Sequence, residues 1–238
     1  MHIFIDTNIL LSFFHFTSED LNSLNSVFVS HKKGAAVLHI TDQVRDEFRR
    51  NRESKISDAL TKFREAASSL QIPNFMRSLP EFDDLEKASK SLREKHSAIL
   101  KSANAEILSK SLPADSLIET MFKKSKLLKT SSQIYLSARQ RVDVGNPPGK
   151  NGSLGDAINW LLLLDSVPQG EDLYVISDDK DFYSTFEKEK INPFLDEEWQ
   201  REKKSKVTCY RSLSSFLGDH FAGITLSFDP EKKNSLML

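Results

Sequence analysis

Short apolar runs, none longer than a single buried strand, constrain this chain most: residues 2–5 (His, Ile, Phe, Ile), Val37 to Ile40 and Leu173 to Ile176, with Val207 to Tyr210 near the end. The first three are β-branched and continuous, as central strands covered on both faces are. Between the runs, periodicity and breakers predict helices over Ser18 to about His31, Thr41 to about Leu70, Phe82 to about Lys110, Asp115 to Leu128, Ser131 to Val142 and Leu154 to Asp165. Ser18, Thr41 and Asp115 are the expected N-caps, and the neighbourhoods of Pro73, Pro80 and Pro113 the expected breaks. Leu213 to Leu217 should form a last helix after the last strand. Parallel strands cannot be joined by tight turns and need crossovers, so the alternation predicts an α/β fold, a parallel sheet flanked by helices. The stretch from about 71 to 143 reads as a helical insert on that sheet; no flexible linker flanks it, so residues 1–238 are expected to form one domain.

Charge excludes a molecule that attracts polyanions as a whole: 33 Lys plus Arg stand against 34 Asp plus Glu, a formal net charge of −1. Any grip on nucleic acid must be local. Basic clusters occur at Arg45, Arg49, Arg50, Arg52 and Lys55, at Lys123, Lys124, Lys126 and Lys129, at Arg139 and Arg141, and over 201–206, although solvated helix faces explain each one taken alone. Cys209 is the single cysteine, so an intrachain disulfide and a thiolate metal cage are both excluded, and a reducing, cytoplasmic setting is the expectation. Asp6 and Asn8 interrupt the apolar start from Ile3 to Phe16, no basic region precedes it, and it is not read as a targeting signal. Trp160 to Leu164 falls far short of the roughly 20 residues a bilayer span needs, so no membrane association is expected. The six histidines are scattered and carry no assigned chemistry, and Trp160 and Trp199 are expected in the core.

Four separated stretches hold acids in suggestive places. Asp6 directly follows the first strand, where open parallel sheets form ligand crevices, although it could equally cap a helix. Glu47 lies beside Val44 and Phe48 on one side of a helix, at the edge of the core-facing stripe, while Arg45, Asp46 and Arg49 point more outward; pairing with an arginine would also satisfy it. Asp156 opens a helix, a position the macrodipole favours by itself, but Gly155 and the 145–152 loop leave room for a ligand. Asp178, Asp179 and Asp181 follow the 173–176 strand, and one cap does not require three acids in four positions. Acids without Cys or His partners suit a hard cation, Mg²⁺ or Mn²⁺, better than Zn²⁺.

In this order the motifs resemble those of the PIN-domain nuclease family. Phe4, Ile5, Asp6, Thr7, Asn8 is similar to its opening motif, Val44 to Phe48 to its second, Gly155 and Asp156 to its third, and Ile176 to Phe182 to its fourth. A bacterial subgroup with a long helical insert is also similar in Asn146 to Gly149, in Gly155 to Leu164, and in Asn192, Pro193, Phe194 with Glu198 and Trp199. The resemblance implies a Rossmann-like sheet and metal-binding acids at Asp6, Glu47, Asp156 and Asp179, with Asp181 as an additional member. Asp178 stands where the family often has Asn, and Asp179 is favoured over it as the metal-facing acid. RNA is the implied substrate, with 5′-phosphate and 3′-hydroxyl products. Asn8, Ser177 and Asp178 would support the ligands, and Arg45, Arg49, Arg50 and Arg52 would grip the polymer. Family members often dimerise, so a homodimer is an expectation; a toxin or defence setting would add a protein inhibitor or defence partner, and an RNA-processing enzyme would share the same residues.

Two other readings compete. An aspartyl-phosphate enzyme also places acids at strand ends, but it uses a positioned Lys, and Lys180 lies beside the acids in sequence. A non-catalytic RNA-binding or protein-interaction module on the same fold would have lost its acids, which are present here.

Overall fold

The computed structural model describes residues 1–30, 36–66, 73–149, 152–221 and 223–227. The expected helix ends near 31 and 70, and residues 150 and 151 of the Pro/Gly loop, lie outside them.

Five strands, β1 His2–Ile5, β2 Val37–Thr41, β3 Lys126–Leu128, β4 Leu173–Ile176 and β5 Val207–Tyr210, form one parallel sheet in the order β3-β2-β1-β4-β5. The chain starts at the centre, moves outward through β2 and β3, then returns to the other side of β1. The strand order therefore reverses between β1 and β4, the switch point at which doubly wound sheets open a crevice beyond their strand ends. The Asp6 N–H donates to the Ile176 carbonyl at 2.9 Å and the Ser177 N–H to the Tyr210 carbonyl at 2.9 Å, which levels the carboxyl ends of β1, β4 and β5.

The helices are α1 Thr7–Leu11, α2 Ser18–Phe28, α3 Asp42–Ala66, α4 Phe82–Ser109, α5 Pro113–Lys124, α6 Ser132–Asp143, α7 Leu154–Ser166, α8 Pro193–Lys203 and α9 Leu213–His220. Thr17 rather than Ser18 caps α2, in a capping box with Asp20. Thr41 ends β2, yet its hydroxyl accepts the Val44 N–H at 3.0 Å and so starts α3. Pro113 occupies the first turn of α5, which moves Asp115 from the expected cap to inside the helix. Sequence periodicity did not mark α8, which Asn192 caps and Pro193 opens.

The expected insert changes boundaries. Lys126–Leu128, read as the end of a helix, is an edge strand whose register sets Leu127 against Ile40 and Leu128 against Thr41. A three-residue strand has no periodicity of its own; pairing with β2 creates it. Ile118 and Met121 of α5 are 0% exposed, so this segment belongs to the α/β body. The elaboration comprises the second half of α3, a 3-10 turn at Asn74–Ser78 and α4, which buries no residue. Trp160 and Trp199 are fully buried, and Cys209 is buried in β5.

Candidate metal centre

Asp6 sits at the end of β1 and is 4% exposed. Its Oδ1 accepts the Thr7 N–H at 2.7 Å, and its Oδ2 accepts the Ser177 hydroxyl at 2.6 Å. The capping and site-facing readings thus coexist in one side chain. Burial pushes its carboxyl up to about 7; the two hydrogen bonds oppose that, while Asp156 and Glu47 push further upward.

Asp156, in the first turn of α7, is half-buried and accepts a short hydrogen bond from the Ser153 hydroxyl. Burial raises it to about 6, and Asp179, Glu47 and Asp181 add repulsion. Acids from all four segments therefore lie near enough to raise the carboxyl of Asp6 or of Asp156. Asp179, half-buried, adds to the repulsion on Asp156, whereas Asp178 is exposed and acts on Tyr183.

Neighbouring groups hold these acids in place. Ser177, fully buried, also accepts the Asp179 N–H at 3.1 Å, linking Asp6 to the fourth segment. Asp179 accepts the Asp181 N–H at 2.8 Å as the cap of a 3-10 turn over Lys180–Phe182. Asp181 accepts the Gly149 N–H at 3.1 Å. Thr7 donates its hydroxyl to Glu47 at 3.3 Å. Thr7 and Ser153 were not among the expected site residues; each lies within three positions of an expected acid, but hydroxyls at such spacing occur throughout the chain. Asn8 is exposed on α1, and its side chain makes no hydrogen bond among the described residues.

Gly155 lies against α3. A Cβ there would stand 2.5 Å from the Gln43 Nε2, so what this glycine admits is an α3 side chain. Gly149, at φ +117° and with the Ser153 carbonyl 2.9 Å from a Cβ position, does require glycine. Its loop is tied down by Arg141, which donates to the Pro147 carbonyl at 2.7 Å and bidentately to Glu198 at 2.8 and 2.6 Å, while Trp160 Nε1 donates to Glu198 at 2.6 Å. This is a physical role for the Pro-Pro-Gly loop and for Glu198. Glu198→Ala leaves Arg141 buried without its partner and is expected to cost about 3–5 kcal/mol in urea unfolding; a loss below ~1 kcal/mol would show that the network carries no such weight.

The arginines need correction. Arg52 is 8% exposed and spends its guanidinium on Asp115, at 2.7 and 2.6 Å, and on the Ile107 carbonyl at 3.1 Å, so it cannot grip a polymer. Arg45 and Arg49 each lie two residues from Glu47, which at about 100° per residue sets them on the opposite side of α3. Arg50, three residues on and exposed, shares the Glu47 side.

The acids supply only oxygen donors, the chemistry of a Mg²⁺ or Mn²⁺ site, and their mutual repulsion is what a divalent cation would relieve. Among the described residues, no group of three or more His, Cys, Asp or Glu side chains stands close enough together to hold a metal ion as they are placed. No helix among the described residues is long and apolar enough to cross a membrane.

A family model described as a PIN domain matches residues 3–182, well over half of the chain and all four acidic segments. No curated protein and no solved structure matches the chain. The chain belongs to the PIN domain family, whose members are generally nucleases.

Proposed function

We propose that this protein is a metal-dependent endoribonuclease, a single PIN-like unit that hydrolyses RNA phosphodiester bonds to 5′-phosphate and 3′-hydroxyl ends. The observation that carries the reading is the placement of Asp6, buried at the end of β1 beside the reversal of strand order and joined through the Ser177 hydroxyl to Asp179 of the turn after β4. Asp6, Asp156 and Asp179 would hold Mg²⁺ or Mn²⁺, with Glu47 and Asp181 in support. When bound, such an ion polarises the scissile phosphate and lowers the pKa of a coordinated water. The chain's own groups arrange this site. Ser177 fixes Asp6 relative to Asp179, Thr7 orients Glu47, and Ser153 orients Asp156. Arg50, exposed on the Glu47 side of α3, would attract the polymer backbone beside these acids.

Cleavage of single-stranded RNA is expected with Mg²⁺ or Mn²⁺, to stop in EDTA, to return on adding the metal, and to fall by more than about a hundredfold in Asp156→Asn, beyond what loss of a merely supporting partner costs. RNA cleavage that persists in EDTA would remove the metal from the reading. RNA binding without cleavage under any metal would favour the non-catalytic module instead.

A further inference from the structure

A second feature lies at the same edge of the sheet. The segment 184–190 leaves the acidic turn and returns as a closed loop: the Ser184 N–H donates to the Lys190 carbonyl at 2.9 Å, Tyr183 bridges to Ile191, and the Ser184 hydroxyl accepts the Phe186 and Glu187 N–H groups at 3.2 and 3.1 Å. At the tip of this hydrogen-bonded loop, Phe186 is 95% exposed. Beside it, Lys180, Tyr183, Ser184, Thr185, Lys188, Glu189 and Arg211 line a cavity of about 390 Å³.

Arg211 follows β5 and is fixed in that cavity. Its guanidinium lies 3.7 Å from the centre of the Tyr183 ring, and it donates to the Lys188 carbonyl. Glu189 approaches it at 3.7 Å but is 85% exposed, so water screens that pair. Lys180, Lys188 and Arg211 outnumber Glu189 and Asp178, the two acids that act on Tyr183. A preorganised guanidinium flanked by lysines suits a phosphate, and an exposed ring beside such a site suits an unpaired base.

We infer that this loop and cavity form a substrate subsite for single-stranded nucleic acid, with a backbone phosphate held by Lys180, Lys188 and Arg211 and a base stacked on Phe186. Lys180 lies between Asp179 and Asp181 in the turn after β4, so the cavity adjoins the acidic segment. The inference deepens the nuclease reading and rests on it only for the identity of the neighbouring site. An exposed phenylalanine alone needs no explanation; one held at the tip of an ordered loop beside a basic cavity and an acidic centre does.

The test is fluorescence anisotropy of labelled oligouridine RNA and oligothymidine DNA of about ten nucleotides, in EDTA so that nothing is cleaved. Phe186→Ala, which removes no buried contact, is expected to weaken binding roughly tenfold, and Phe186→Trp to retain it. Arg211→Gln should also weaken binding and lower the salt slope by about 0.7, the contribution of one single-strand phosphate contact. Duplex RNA should bind less well, because paired bases cannot stack on the ring. Wild-type affinity in Phe186→Ala, equal affinity for duplex, or no binding of either polymer by the wild type would overturn the subsite; loss with RNA, DNA or both supports it. Full cleavage by Asp156→Asn alongside weakened binding by Phe186→Ala would instead overturn the metal-centre reading and leave the subsite standing.

Discussion

Asp6→Asn is expected to lose RNA cleavage by more than about a hundredfold, above the 10–100-fold that outer-shell partners of a metal cost, while the metal-free protein becomes more stable at pH 8. Both effects come from one carboxyl. Asp6 is buried at the end of β1 with its ordinary value of 3.8 raised to about 7. Below pH 3.8 the folded and unfolded chains are both protonated there, and the group has no effect on stability. Between 3.8 and 7 the folded chain holds a proton that the unfolded chain has lost, so stability falls as pH rises through that window. Above 7 the full cost of a buried anion is present, on the order of 4 kcal/mol for this shift. Asn removes that charge. It keeps an acceptor for only one of the two donors, Thr7 N–H and the Ser177 hydroxyl, which limits the gain. Thermal melts in EDTA from pH 5 to 8.5 should show the wild-type Tm falling with pH and the variant's falling less. Parallel pH profiles, or wild-type cleavage in the variant, would refute this assignment of Asp6.

Arg52→Ala is expected to destabilise the protein by about 3–5 kcal/mol without a specific effect on RNA affinity. The side chain lies on the Val44, Phe48, Ile56 face of α3 and joins Asp115 of α5 to the last turns of α4 through the Ile107 carbonyl. Truncation strands the Asp115 carboxylate at 4% side-chain exposure. Most of the loss should be that stranded charge rather than the pair's net worth, so Arg52→Met combined with Asp115→Leu should recover most of the stability. Urea unfolding of both variants decides the point. A double variant as unstable as the single would show that the pair itself holds α3 to α5.

The acidic turn after β4 shows how the site became legible. Asp178, Asp179 and Asp181 exceed what capping needs, and that surplus was visible without coordinates. That the Ser177 hydroxyl would bond the Asp6 carboxylate and accept the Asp179 N–H was not, because Ser177 and Asp6 meet only when β4 pairs with β1. Glu47 could be placed at the edge of the buried stripe from helical period alone, and the same period sets Arg45 and Arg49 on the far side of α3. Arg52 was misread because a basic cluster in sequence carries no information about a carboxylate that is 63 residues away.

By itself the sequence determined the α/β class, the central strands, most helices and the positions of the acids, because these depend on apolar period, caps and breakers within a few residues. Only the tertiary structure decided the edge strand β3, the use of Gly155 to admit Gln43, the Arg141–Glu198–Trp160 support for the loop, and the basic cavity beside Phe186. Each of those needs partners far apart along the chain, and only the packing of the sheet and its helices brings such partners within hydrogen-bond or van der Waals reach.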